Sequence, residues 1–172
     1  FAQAEIEFIL GIGGITIESG KALGGDIQLA ALAEEFDAVF LGMGLPDTND
    51  LGLSAEDADN CLDAVRYIER IRQTDDLSSL PLGKNIVVIG GGMTAIDVAA
   101  QTKLMGADSV TICYRRGPDQ MGASEYERDL AQTHGVVIRH WMKPSALETD
   151  TDGNVTGITL SRTALDGGKL VD

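Results

Sequence analysis

The chain is poor in several residue types, and each shortage excludes something. It has two cysteines, Cys61 and Cys113, in 172 residues. They form no C-x-x-C pair, no metal-ligand cluster and no disulphide framework, so no metal site is expected and a reducing, cytoplasmic setting is. No apolar run approaches the roughly 20 residues of a membrane span, and no basic stretch leading into an apolar one opens the chain as a secretion signal would. Cations are scarce: 13 Lys and Arg against 27 Asp and Glu give a net charge of −14. That balance excludes a general nucleic-acid binder, which needs excess positive charge to meet phosphates. Acid–base partners are scarce as well. None of the three tyrosines, Tyr67, Tyr114 and Tyr126, has a lysine four residues on, so the Tyr-Lys pair of short-chain dehydrogenases is missing. His134 stands at a predicted helix end and His140 in a strand without partners. Any redox chemistry must be carried by a cofactor.

What is present is unevenly placed. Residues 1–83 carry a net −12, residues 84–143 a net +1 and residues 144–172 a net −3. The one segment that is not acidic contains N-I-V-V-I-G-G-G-M-T-A-I-D, residues 85–97. Around it the pattern is regular: a strand at Asn85–Ile89, a helix at Thr94–Met105, a strand at Ser109–Tyr114, a helix at Ser124–His134 with a Ser124-x-x-Glu127 capping box, and a strand at Val136–Trp141. Ala146–Thr149 and Val155–Arg162 flank a D-G-N turn and read as an antiparallel hairpin. The fold class is α/β: a Rossmann-like parallel sheet with a βαβαβ core and an added antiparallel hairpin. Upstream, the pattern predicts a helix over residues 2–11, a strand at Ile15–Glu18, a helix from an Asp26 N-cap to about Glu35, and a short buried strand at Asp37–Leu41. An acidic linker then covers Pro46–Asp59 and a helix Asp59–Gln73. The uncapped first helix and the turn near the last residue predict a piece of a longer protein.

The glycine cluster fits the frame Gly90-x-Gly92-x-x-Ala95. Gly90 makes the tight turn out of the strand, Gly92 lets pyrophosphate approach the backbone, and Ala95 lets the helix pack on the sheet. Gly91 is the variable position between them. Helix amides from Met93 onward then face the phosphates. The next strand selects the nucleotide. NAD and FAD sites use an acid at its end to hold ribose hydroxyls. Here the segment reads V-T-I-C-Y-R-R-G, and Arg115 and Arg116 suit the 2′-phosphate of NADPH by charge and forked geometry. Two decoys fail: Gly11-Ile12-Gly13 ends a helix instead of opening one, and Ser19-Gly20-Lys21-Ala22 lacks the hydroxyl and the upstream glycine of a P-loop.

V-V-I-G-G-G-M-T-A-I-D followed by V-T-I-C-Y-R-R-G resembles the NADPH domain of the glutamate synthase small-subunit family, which includes the flavin-containing subunit of dihydropyrimidine dehydrogenase. D-A-V-F-L-G-M-G-L-P resembles the strand and turn at which that family's chain leaves its FAD domain. Q-M-G-A-S-E-Y-E-R-D-L-A-Q-T-H-G-V-V-I-R-H-W resembles the loop, helix and strand that follow. The resemblance implies a cofactor-binding set of Gly90, Gly91, Gly92, Met93, Thr94, Ala95, Asp97, Tyr114, Arg115 and Arg116, with Gly42 and Gly44 at the domain junction. Asp97 falls where relatives carry an acid near the nicotinamide end. Where relatives often add a basic residue after the arginines, this chain has Gln120, Met121 and Gly122.

The implied organisation is a partial FAD-domain segment and junction at 1–44, a linker with a helix at 45–83, and an NAD(P)H-binding Rossmann domain at 84–172. The implied activity is transfer of hydride from NADPH (or NADH) to FAD. Iron–sulphur centres then carry electrons to a large catalytic subunit or domain that reduces a glutamate-synthase-type or pyrimidine substrate. FAD belongs to the full-length protein, and the isolated fragment is expected to be inactive. A non-catalytic NAD(P)-binding sensing or interaction module is the alternative.

Overall fold

Branched apolar residues on three consecutive strands build the centre of the molecule. β1 (Asn85–Ile89), β2 (Ser109–Tyr114) and β3 (Val136–His140) form a parallel sheet in the order β1-β2-β3. Val88 lies opposite Ile112, and Ile112 opposite Ile138. Parallel neighbours need a crossover connection. α4 (Met93–Leu104) joins β1 to β2, and α5 (Glu125–Thr133) joins β2 to β3. Ile112, Val110, Ala99 and Ala131 are essentially inaccessible to water. Ala95 and Ala99 present only methyl groups, so α4 can lie close to the strands. Thr102 is the polar member of this buried helix face, and its hydroxyl donates to the Val98 carbonyl at 2.8 Å. Such a back-bond removes the penalty of burying the group.

The computed structural model describes residues 2–44 and 48–171, which fall into two units, Phe1–Gly44 and Leu45–Asp172. In the larger one, α3 (Ala64–Gln73) adds Tyr67 to the core, its hydroxyl donating to the Pro81 carbonyl at 2.6 Å. This helix starts at Ala64 and not at Asp59, because the Asp63 carboxylate accepts from the Arg66 amide at 2.8 Å and caps it there. The start of the expected linker, Pro46 and Asp47, lies outside the described residues. α5 carries the predicted capping box: the Glu127 amide donates to Ser124 Oγ, and the Ser124 amide donates to the Glu127 carboxylate.

The antiparallel hairpin is longer than its sequence pattern indicates. β4 (Met142–Thr149) begins one residue after β3 ends and pairs with β5 (Val155–Arg162). Trp141, between β3 and β4, has a φ of +60°. A left-handed residue there turns the chain out of the parallel sheet and into the hairpin. Asn60 pairs with the hairpin as a strand would: its amide nitrogen donates to the Val155 carbonyl at 2.8 Å and its oxygen accepts from the Val155 amide at 2.9 Å. A second small hairpin follows, β6 (Ala164–Asp166) and β7 (Lys169–Val171), closed by Gly167 and Gly168 at φ +55° and +82°. Two successive left-handed residues are the requirement of a type I′ turn.

The smaller unit corrects three expectations. α1 (Ala2–Gly11) is present. Ile15–Glu18 and Asp37–Leu41 form no ladder, and Phe40 is 94% exposed. A strand is stable only when its backbone finds a partner, and neither segment has one among the described residues. α2 (Leu29–Glu35) starts after Gln28, later than predicted. Asp26 instead accepts from the Ala22 amide at 3.0 Å, closing the turn before the helix.

Candidate dinucleotide site

β1 delivers the chain to Gly90, whose φ of +150° is open to glycine and strained for other residues. A Cβ placed there would lie 3.1 Å from the Ala95 methyl. Strand end and helix thus touch at this point, which is why the third position of the fingerprint must be small. Gly92 caps α4, and a Cβ added to it would meet nothing within 4 Å. The space beside it is open to a ligand. The first amides of a helix have no intrahelical acceptor, so Met93 and Thr94 offer N–H groups to that space, reinforced by the helix dipole.

Gly91 is not a freely variable position. A Cβ there would stand 2.5 Å from the Tyr114 ring. The ring therefore lies directly on the turn, and only glycine leaves room for it. The Tyr114 hydroxyl donates to the Gln120 carbonyl at 2.5 Å, and the Ala123 amide donates to the Gly91 carbonyl at 3.1 Å. The glycine turn and the loop after β2 are one braced object.

That loop carries Arg115, exposed, and Arg116, half-buried, at the end of β2. Its backbone faces inward. The Arg115 carbonyl accepts from the Thr163 hydroxyl at 2.7 Å, and the Arg116 carbonyl accepts from the Trp141 amide at 3.2 Å. The Gly117 amide donates to Gln120 Oε1 at 3.0 Å, and Gly117 lies under the Trp141 ring. Arg128 on α5 donates from Nη1 to the Pro118 carbonyl at 2.8 Å. Its Nε is buried, and no acceptor meets it among the described residues. Sequence reasoning missed Thr163, Trp141 and Arg128. Their local signals are those of a strand end, a strand and a helix surface.

These residues fit a dinucleotide: an unobstructed glycine at a helix N-terminus, and two arginines where an acid would otherwise stand. The sequence profile of the pyridine nucleotide-disulphide oxidoreductases matches residues 2–171. The chain belongs to this family. It is 34% identical over 162 residues to the glutamate synthase [NADPH] small chain of Escherichia coli (strain K12), covering 88% of this chain and 34% of that protein. It is 36% identical over 134 residues to an NAD-dependent dihydropyrimidine dehydrogenase subunit PreT homolog of Salmonella typhi, covering 78% of this chain and 32% of that one. A third relative is the NADPH-Fe(3+) oxidoreductase subunit beta of Geobacter sulfurreducens (strain DL-1 / KN400), at 33% over 163 residues, 95% of this chain and 24% of the relative. The chain therefore spans about a quarter to a third of these relatives. A solved structure of FprA from Mycobacterium tuberculosis, a single-substitution mutant, shares the fold. It has a TM-score of 0.70 at 19% identity, over 99% of this chain and 53% of that one.

Within this oxidoreductase fold the other predicted residues are distributed as follows. Met93, Thr94 and Asp97 line an open, mostly apolar cleft of about 530 Å³ between α3, α4 and α5. Asp97 accepts from the Gln101 amide at 2.6 Å and lies 3.7 Å from an Arg72 guanidinium nitrogen, so its carboxylate links α4 to α3. Gly42 and Gly44 belong to the smaller unit, in irregular backbone, Gly44 with a φ of +70°. His140 does have a partner: its Nε2 is 3.3 Å from Met121 Sδ. Burial, and then the Arg128 charge, hold its imidazole below the usual histidine range. Cys113 is buried in the sheet, and loss of water pushes its thiol up despite Arg139. Cys61 is pushed up by burial and by Glu56 and Asp57. Neither thiol is activated as a nucleophile. No group of His, Cys, Asp and Glu among the described residues could hold a metal ion, and no helix among them is long and apolar enough to cross a membrane.

Proposed function

We propose that this chain is the NAD(P)H-binding part of an FAD- and iron–sulphur-dependent oxidoreductase, and that its nucleotide is NADPH. The observation that carries the reading is the juxtaposition of an open Gly92 at the start of α4 with Arg115 and Arg116 on a loop bonded to the same turn. Gly90, Gly91 and Gly92 shape the turn, and the Met93 and Thr94 amides receive pyrophosphate oxygens. Ala95 keeps the helix close, and Tyr114 holds turn and loop together. Arg115 and Arg116 take the 2′-phosphate. Asp97 enters the set by its position one helical turn into α4, and Gly42 and Gly44 by their place at the junction. When bound, NADPH supplies the hydride. The chain's own residues bind and orient it.

In the complete protein the acceptor is FAD, and a large catalytic subunit or domain uses the electrons on a glutamate-synthase-type or pyrimidine substrate, in the cytoplasm. The names of the relatives support this: one is a small chain, two are subunits, and two carry NADPH in their names. The domain division follows as 1–44 for a partial FAD-domain segment, 45–83 for a linker with a helix, and 84–172 for the nucleotide domain. Calorimetric titration of the chain with NADPH and NADH tests the binding reading. NADPH is expected to bind at least about tenfold more tightly, ~1.4 kcal/mol, and the double variant R115A/R116A to erase the difference. A folded sample that releases heat with neither nucleotide removes the proposal. Anaerobic addition of NADPH to the full-length protein tests the redox step by bleaching of flavin absorbance.

A further inference from the structure

The arginine loop is held from a distance. Thr163 is 7% exposed, one of two buried polar side chains in the described core. Its hydroxyl crosses 48 positions of sequence to donate to the Arg115 carbonyl at 2.7 Å. Its amide donates to the Trp141 carbonyl at 3.1 Å, and the Trp141 amide donates to the Arg116 carbonyl at 3.2 Å. Trp141 reaches that carbonyl from a left-handed conformation, φ +60°, which an aromatic residue adopts only when its surroundings demand it. Thr163 and Trp141 flank the last paired residues of the hairpin, Met142 and Arg162. The open end of the β4–β5 hairpin thus clamps two successive carbonyls of the loop. With both carbonyls turned inward, the backbone of Arg115 and Arg116 is fixed, and the directions in which their side chains can leave it are limited.

We infer that Thr163 and Trp141 are positioning residues for recognition of the 2′-phosphate. They set the loop so that both guanidiniums converge on one phosphate. They touch no ligand themselves. The inference rests on the NADPH reading above. A paired guanidinium site works by preorganisation: arginines on a loose loop lose conformational freedom on binding, and affinity falls accordingly.

The test uses the whole chain and two probes that differ only in the 2′-phosphate, 2′,5′-ADP and 5′-AMP. Thr163→Val keeps the side chain's shape and removes the hydroxyl. It is expected to weaken 2′,5′-ADP binding about tenfold while 5′-AMP binding stays within about twofold. Thr163→Ser is expected to restore the wild-type ratio. If the valine variant does not fold, Thr163→Ala is read in its place. The ratio of the two affinities is the readout, because general destabilisation would lower both together. A Thr163→Val protein that keeps the wild-type ratio overturns the inference and leaves the NADPH reading intact. A wild-type chain that binds both probes equally removes the NADPH reading, and this inference with it.

Discussion

Gly91 and Gly92 are adjacent and are glycine for different reasons. At Gly91 the obstacle is internal, since a methyl would stand 2.5 Å from the Tyr114 ring. At Gly92 an added methyl would meet nothing of the protein within 4 Å, and the obstacle would be the ligand. Gly91→Ala is expected to destabilise the fold by about 1–3 kcal/mol, the range of overpacking, and to lower nucleotide affinity with it. Gly92→Ala is expected to melt close to the wild-type temperature while binding NADPH at least about tenfold more weakly. Thermal melts beside calorimetry separate the two. His140 gives a pH signature at the same scale. Its folded pKa lies below its unfolded value because burial and Arg128 disfavour the imidazolium. The unfolded chain therefore binds more protons as pH drops through the ordinary histidine range, near 6.5. The stabilisation is present above that value and is lost as pH falls toward the depressed folded pKa. Melts between pH 7 and 5 should show midpoints falling with acid, with a shallower slope for His140→Gln.

Elements whose signals are local could be read from the sequence, and those defined by distant partners could not. α5 is specified within four residues by Ser124 and Glu127. Ser124→Ala is expected to cost about 1 kcal/mol in denaturant melts, and to loosen the loop, because Arg128 on the same helix holds the Pro118 carbonyl. β1, α4, β2 and β3 declare themselves by apolar runs and periodicity, and they lie within a residue of the predicted bounds. Ile15–Glu18 and Asp37–Leu41 carry the same kind of apolar pattern and form no strand, since pairing is a property of neighbours and not of the segment. The start of β4 was hidden because Pro144, which cannot donate to a ladder, reads as a break before Ala146; the strand there follows from Trp141 turning the chain. The site divides in the same way. The glycine turn is contiguous and was legible. Tyr114 over Gly91 joins residues 23 apart, and Thr163 on Arg115 joins residues 48 apart, and sequence spacing encodes neither contact.

Across the whole molecule, burial is concentrated in the larger unit. No residue of 3–44 is buried, whereas the strands, α4 and α5 enclose the core. Amides of α1 and α2 are expected to exchange with solvent on the order of a hundredfold or more faster than those of α4 and β2, as hydrogen exchange read by mass spectrometry would show. Trp141 is the chain's only tryptophan, and it sits over Gly117 on the arginine loop. The protein's whole indole emission therefore arises at one edge of the proposed nucleotide site. Reduced nicotinamide absorbs where indole emits, and oxidised nicotinamide does not. NADPH should then quench the intrinsic fluorescence by energy transfer, and NADP⁺ should do so far less. With NADPH in the proposed site, the fold would contain its own optical gauge of occupancy and of redox state, readable in a stopped-flow instrument without any label.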